Sequence, residues 1–182
     1  MKKINIILGK FQPWTRAHQQ IIEDLYNQNN CKVLIIQTQI KNKDEKHPFN
    51  CETIRDEIRG LKNKKPIYDI WTHTGGDFGP LFQKLFDNNL IVKLWGCGTD
   101  RVEAYLKFIK NVNYQARFHI PEDLEIYEIK RTDQDISATK LREAIKNNDF
   151  ETFSKMMPDM ICQTNIEYFY KIFLQELQML DN

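Results

Sequence analysis

The stretch Ile4-Asn5-Ile6-Ile7-Leu8-Gly9-Lys10-Phe11-Gln12-Pro13-Trp14-Thr15-Arg16-Ala17-His18 governs how the rest of the chain is read. Ile4 to Leu8 is a short apolar run stopped by Gly9, the pattern of a strand covered on both faces. Behind Pro13 the period changes, and Ile21, Ile22 and Leu25 fall on one face of a helix. A strand that passes through a glycine-led turn straight into a helix is the opening half of a parallel strand–helix–strand unit.

The same change of period recurs downstream. Lys32–Thr38 holds Val33-Leu34-Ile35-Ile36, a second buried strand, and Ile54, Ile58 and Leu61 then form a helical stripe. Ile67–Trp71 and Leu90–Trp95 read as a third and a fourth strand, the latter stopped by Gly96-Cys97-Gly98. Leu81, Leu85 and Phe86 mark a helix between these two, and Val102, Tyr105, Leu106 and Ile109 a helix after them. Ala116–Ile120 and Leu124–Ile129 read as short extended segments around Pro121. From Ser137 onward the pattern is helical, and the last helix carries Ile166, Phe169, Tyr170, Phe173, Leu174, Leu177 and Leu180. Such alternation predicts an α/β fold, a Rossmann-like doubly wound parallel sheet with a helical C-terminal extension. Without a linker or a repeat, the expected division is one domain over residues 1–147 and an extension over 148–182. The stripe of the last helix is expected to pack on the domain, with a homo-oligomer contact as the alternative.

The composition bounds the function. A chain of 182 residues with 41% hydrophobic and 28% charged residues suits one globular domain and argues against disorder. Lys plus Arg is 26 and Asp plus Glu is 25, a net charge of +1, which is a poor basis for gripping long nucleic acid. No apolar run approaches the roughly 20 residues of a membrane span, and none near the start reaches the roughly 7–15 of a secretory segment. Cys31, Cys51, Cys97 and Cys162 form no CxxC pair and no zinc spacing with His, so free thiols, no protein metal site and a cytoplasmic place are expected. His73, in the loop with Gly75-Gly76, is expected at the surface, and His119 as structural.

Two segments carry chemistry. In the first, Gly9 allows close approach of a ligand to the backbone, and Thr15 and His18, three apart at a helix start, aim at one spot. The helix N-terminus adds N–H donors and the positive dipole end, which favour phosphate. Nothing there pairs a nucleophile with a base, so covalent catalysis is not indicated. The plain alternative is a helix cap with a surface His. In the second, Asp135-Ile136-Ser137-Ala138-Thr139-Lys140-Leu141-Arg142 opens a helix. Ser137 suits an N-cap, and Thr139 and Arg142 share a helix face. Hydroxyls, N–H groups and the rigid donor fork of Arg would then converge on a polyphosphate. The plain alternative here is a capped helix with an exposed Arg.

These residues together resemble the nucleotidylyltransferase superfamily. Gly9-Lys10-Phe11-Gln12-Pro13 followed by Thr15-x-x-His18 is similar to its first signature, and Ile136-Ser137-x-Thr139-x-x-Arg142 to its second. The first run looks most like nicotinamide-mononucleotide adenylyltransferases. Thr15 stands where those usually have His and where phosphopantetheine adenylyltransferases commonly have Thr, and Ala17 replaces the usual Gly. The resemblance covers about residues 4–147. It implies transfer of AMP from ATP to nicotinamide mononucleotide (NMN) by direct in-line attack, with Mg2+ accompanying ATP. It places His18, Thr15 and Lys10 at the transferring phosphate. It gives Gly9, Phe11, Ser137, Thr139 and Arg142 to ATP, the last three to the β- and γ-phosphates. Gly98-x-Asp100-Arg101 looks like the element whose carboxylate touches the nucleotide ribose, which adds Asp100 and Arg101. His47-Pro48-Phe49 with Glu52 and Arg55 loosely resembles an Asn-Pro-Phe element, with His47 in place of Asn and the Arg shifted by one; Arg55 and Trp71 are the candidates for the acceptor. Trp71 is preferred to Trp14 and Trp95 because it borders the glycine loop and because a pyridinium stacks on an aromatic face. Transfer to phosphopantetheine, a cytidylyltransferase acting on a small phosphorylated alcohol, and a nucleotide-binding regulatory module remain the alternatives.

Overall fold

A computed structural model describes residues 1–61, 65–74, 76–130, 138–159 and 161–180. Five strands, β1 (Lys2–Gly9), β2 (Val33–Thr38), β3 (Ile67–His73), β4 (Leu90–Gly98) and β5 (Glu125–Ile129), form one sheet in the order β3-β2-β1-β4-β5. β1 pairs with β4, β2 with β3 and β4 with β5, all in parallel. The helices are α1 (Arg16–Asn29), α2 (Cys51–Arg59), α3 (Gly79–Asp87), α4 (Val102–Ile109), α5 (Val112–Phe118), α6 (Ala138–Lys146), α7 (Phe150–Met156) and α8 (Gln163–Gln178). The chain winds outward from β1 through β2 to β3, then returns to the other side of β1 for β4. The direction reverses between β1 and β4, and open parallel sheets bind ligands at the carboxyl ends of the strands flanking such a point. The expected Rossmann-like α/β fold is the one found.

The chain divides into two compact units. The first comprises Met1–Leu8, Ile21–Thr38 and Lys65–Thr132 and holds nearly the whole sheet. Its core gathers Ile4, Ile6, Leu34, Ile36, Phe82, Trp95 and Tyr105 with α3 and α4. Alternate residues serve the opposite face. A Cβ on Gly96 would lie 2.8 Å from Cδ1 of Leu25 on α1, so that strand position is small to admit the helix. On the same face, Asn5 is fully buried in β1 and its amide nitrogen donates to the Leu25 carbonyl at 2.8 Å and to Oδ1 of Asn29 at 2.9 Å. One polar residue in an apolar strand therefore ties the end of α1 to β1.

The second unit comprises Gly9–Gln20, Gln39–Lys64 and Asp133–Asn182. Here α8 lies against α2, α6 and α7, burying Ile166, Phe169, Phe173 and Leu177 of the predicted stripe, while Leu180 is exposed. Both sides of the expected 147/148 boundary fall within this unit, since α6 packs on α7 and α8.

Several local expectations are corrected. Ala116–Ile120 is not extended: residues up to Phe118 end α5, and His119 follows in the left-handed region at φ 54°. Asn111 starts that helix by accepting from the N–H groups of Asn113 and Tyr114, and the Phe118 ring fills the space above Gly79, where a Cβ would come within 2.4 Å. Capping and packing on α3 outweigh the strand tendency of the aromatic residues. β4 runs on through Gly98 instead of stopping at Gly96, and β3 reaches His73. His73 is buried, not at the surface, and its ring stacks on Phe78. Burial holds its basicity below the usual imidazole value.

Replacing Asn5 by Leu removes the buried amide's hydrogen bonds to the Leu25 carbonyl and to Asn29. A lost intramolecular hydrogen bond costs roughly 0.5–1.5 kcal/mol. N5L is therefore expected to lower the denaturation midpoint, read by urea titration, with an unchanged transition slope.

Candidate functional site

The loop after β1 is built by its own side chains. A Cβ on Gly9 would come within 2.7 Å of the Phe11 ring, so glycine there makes room for that ring. Phe11 takes φ 50°, a conformation that costs a non-glycine residue of order 1–3 kcal/mol. It is held there by ring contacts, 4.8 Å to Trp14 and 5.3 Å to His18 between centroids. Gln12 is buried and behaves like a short strand: its Nε2 donates to the Phe49 carbonyl at 3.0 Å and its Oε1 accepts the Phe49 N–H at 2.8 Å. A cis peptide joins Gln12 to Pro13.

His18 lies in the first turn of α1, half-buried beside the Trp14 ring at 5.0 Å. The Thr15 backbone N–H donates to His18 Nδ1 at 3.0 Å, and Thr15 Oγ1 stands 3.1 Å from the same nitrogen. A backbone amide can only donate, so Nδ1 is unprotonated and the neutral ring carries its proton on Nε2. The contact is also half of a capping box, with His in the place of the usual Glu. The cap of the plain reading is what sets the tautomer.

Arg142 and Thr139 share one face of α6. The Arg142 guanidinium donates to the Gln12 carbonyl at 2.6 Å and to Thr139 Oγ1 at 3.0 Å. Partial burial lowers its basicity, opposed by Glu143 and Asp44. The second unit therefore brings Gly9, Lys10, Phe11, Thr15, His18, Thr139 and Arg142 onto one framework. Ser137, expected beside them, lies outside the described residues, as does Gly75. Arg55 is also in this unit, on α2, 3.6 Å from Glu52.

Asp100 and Arg101 belong to the first unit, in the 3-10 turn Thr99–Arg101 at the carboxyl end of β4. They are exposed and paired with each other, Nε of Arg101 standing 3.2 Å from Oδ2 of Asp100. Trp71, in the same unit, donates from Nε1 to Asp69 at 3.0 Å, and the Lys84 ammonium covers one ring face at 4.6 Å. Trp14 and Trp95 are fully buried. The described cysteines are free, and burial pushes the Cys97 thiol up to about 11, far from a reactive thiolate. Among the described residues no group of three or more His, Cys, Asp or Glu is placed to hold a metal ion, and no helix is long and apolar enough to cross a membrane.

The sequence reading did not single out two buried acids. Glu57 on α2 is fully buried, and its Oε2 accepts the Trp14 backbone N–H at 3.0 Å. Burial pushes its carboxyl well above the usual 4.5. Glu176 on α8 accepts from the Asn50 N–H at 2.6 Å, the Thr53 hydroxyl at 2.5 Å and the Lys43 ammonium at 3.0 Å. The available signal was a carboxylate inside an apolar helical stripe, Glu57 beside Ile54 and Ile58, Glu176 beside Phe173 and Leu177.

The strand order and the reversal beside β1 are those of a Rossmann-like doubly wound sheet. No family model and no curated protein matches the chain by sequence. Solved structures do. The nicotinic acid mononucleotide adenylyltransferase of Plasmodium falciparum, complexed with NaAD, superposes with a TM-score of 0.59 at 18% identity, over 96% of this chain and 97% of that one. A bifunctional NMN adenylyltransferase/ADP ribose pyrophosphatase from Francisella tularensis, complexed with AMP and an Mn ion, gives 0.57 at 16% identity, over 98% of this chain and 54% of that one. Thermotoga maritima TmcAL bound with alpha-thio ATP gives 0.57 at 10% identity, over 98% and 56%. The chain thus spans a little over half the length of the last two.

The acid Glu57 ionises freely once the chain unfolds but is held protonated in the fold. The native state keeps the proton longer, so stability falls as pH rises above the usual 4.5 toward the raised native value. Glu57→Gln keeps an acceptor for Trp14 without a charge. The stability of E57Q relative to wild type is expected to increase between about pH 5 and pH 8, measured by thermal melts across that range.

Proposed function

We propose that this chain is an adenylyltransferase that moves AMP from ATP to nicotinamide mononucleotide, forming NAD and pyrophosphate. The acceptor phosphate oxygen attacks the α-phosphorus in line. The new P–O bond forms as the bond to pyrophosphate breaks, and the electron pair leaves with pyrophosphate. The protein has little covalent work and acts by placement and charge.

The observation that carries this reading is the Thr15 N–H on His18 Nδ1, which makes Nε2 a donor. A neutral imidazole with a fixed N–H suits a developing phosphoryl charge and needs no reorganisation during the reaction. Thr15 fixes the ring. Lys10 supplies positive charge at the transferring phosphate, and Gly9 and Phe11 shape the backbone beside it. Thr139 and Arg142, with Ser137 by resemblance, hold the β- and γ-phosphates. Asp100 and Arg101 are proposed for ribose hydroxyls, and Trp71 and Arg55 for the acceptor. Mg2+ is proposed to enter with ATP, held by phosphate oxygens, where it neutralises charge on the leaving group. The bound NaAD and alpha-thio ATP of the structural neighbours support small nucleotides as ligands.

The test is incubation with ATP or CTP and a panel of NMN, phosphopantetheine and phosphorylated alcohols, followed by mass detection. NAD and pyrophosphate from ATP plus NMN are expected. ATP binding without pyrophosphate release, for every acceptor, would instead mark a nucleotide-binding module. His18→Ala is expected to lower kcat by roughly a hundredfold or more while circular dichroism shows the fold retained. Full activity in H18A rules out the assigned role.

A further inference from the structure

Lys10 leaves the first loop on a flexible four-carbon stem, and its ammonium stands 3.1 Å from Nε2 of His47. An ammonium donates and never accepts, so Nε2 must present a lone pair. The other ring nitrogen, Nδ1, is 2.9 Å from Oδ1 of Asp44. An ionised carboxylate only accepts, so Nδ1 carries the ring proton. Two contacts therefore select one tautomer of a neutral ring, the opposite of the tautomer held at His18.

The support behind the ring is itself built. Oδ1 of Asp44 accepts the backbone N–H groups of Lys46 at 2.9 Å and His47 at 2.7 Å. The backbones of Asp44 and His47 also pair with each other in both directions. The His47 contact and these N–H groups hold the Asp44 carboxyl below its usual range. Two residues beyond His47, the Phe49 backbone is gripped by Gln12. The 44–49 segment is thus joined to the first loop at two points, and one of them is the Lys10 ammonium.

We propose that His47 is a positioning residue for Lys10: its Nε2 takes one ammonium proton, Asp44 keeps it in the accepting tautomer, and the remaining Lys10 donors are presented to the phosphate being transferred. The inference rests on the reading of Lys10 as a phosphate-binding group. An unheld lysine would have to be ordered afresh in each transition state, because its stem has four rotatable carbons. The charged groups around the His47 ring are Lys10 and Asp44, with Arg142 acting on Asp44.

Two readouts on the full chain test this. Nitrogen NMR of the His47 ring at neutral pH, without nucleotide, is expected to show the proton on Nδ1, and the Nε2 resonance is expected to move in Lys10→Met. A proton on Nε2, or an Nε2 resonance unmoved in K10M, overturns the proposal. In kinetics with ATP and NMN, His47→Leu is expected to lose roughly tenfold in kcat/KM at neutral pH. His47→Gln, whose amide oxygen can accept from Lys10, is expected to recover to within about threefold of wild type. Equal kcat/KM in H47L and wild type, or an H47Q no better than H47L, also overturns it. If wild type makes no product from any acceptor, the transfer reading fails on its own, and the ring spectra still decide the contact.

Discussion

The double hydrogen bond between the Gln12 amide and the Phe49 backbone is the contact on which the second unit's loop depends. Both polar ends of a buried side chain are spent on one residue's N–H and carbonyl, which copies a step of strand pairing without a strand. Phe49 is in turn fixed by its ring, 4.4 Å from that of Phe173 on α8. With Gln12 held, its own carbonyl receives Arg142, Lys10 on one side meets His47, and Trp14 on the other brings its N–H to Glu57. Removing that contact would leave four buried polar atoms to be satisfied at once, and no one replacement side chain offers the same geometry.

Two buried carboxyls show how burial is tolerated by different means. Glu176 meets three donors, one of them an ammonium, and so ties Lys43, Asn50 and Thr53 to α8. Glu57 meets one backbone N–H, and among the described residues its other oxygen, Oε1, has no partner. Its answer is to keep its proton. The helical end of the chain is thereby more than a cover. Through Glu176 and Phe173 it holds the 43–53 segment that carries His47 and Phe49.

Much of the sheet was legible because parallel strands covered on both faces are continuous apolar runs, and Val33-Leu34-Ile35-Ile36 admits no other reading between two helical stripes. The errors have local causes. Ala116–Ile120 looked extended because its aromatic and β-branched residues favour strands, yet Asn111 caps a helix there and Phe118 needs the face over Gly79. The glycines of β4 looked like a stop, although Gly96 is small only so that Leu25 fits. His73 looked exposed because a glycine loop follows it, and it is buried because Phe78 returns over its ring.

By itself the sequence determined the alternation of strands and helices, and it placed Lys10, Thr15, His18, Thr139 and Arg142 beside or within the first turns of two helices. These are local properties, written in spacing and in side-chain type. The tertiary structure alone decided that His47 meets the Lys10 ammonium, that Arg142 reaches the Gln12 carbonyl, and that Glu57 and Glu176 lie inside. Those outcomes turn on groups tens to more than a hundred residues apart in the chain. A long-range hydrogen bond or a buried charge is set by the partner that folding delivers, and no spacing within one segment encodes it.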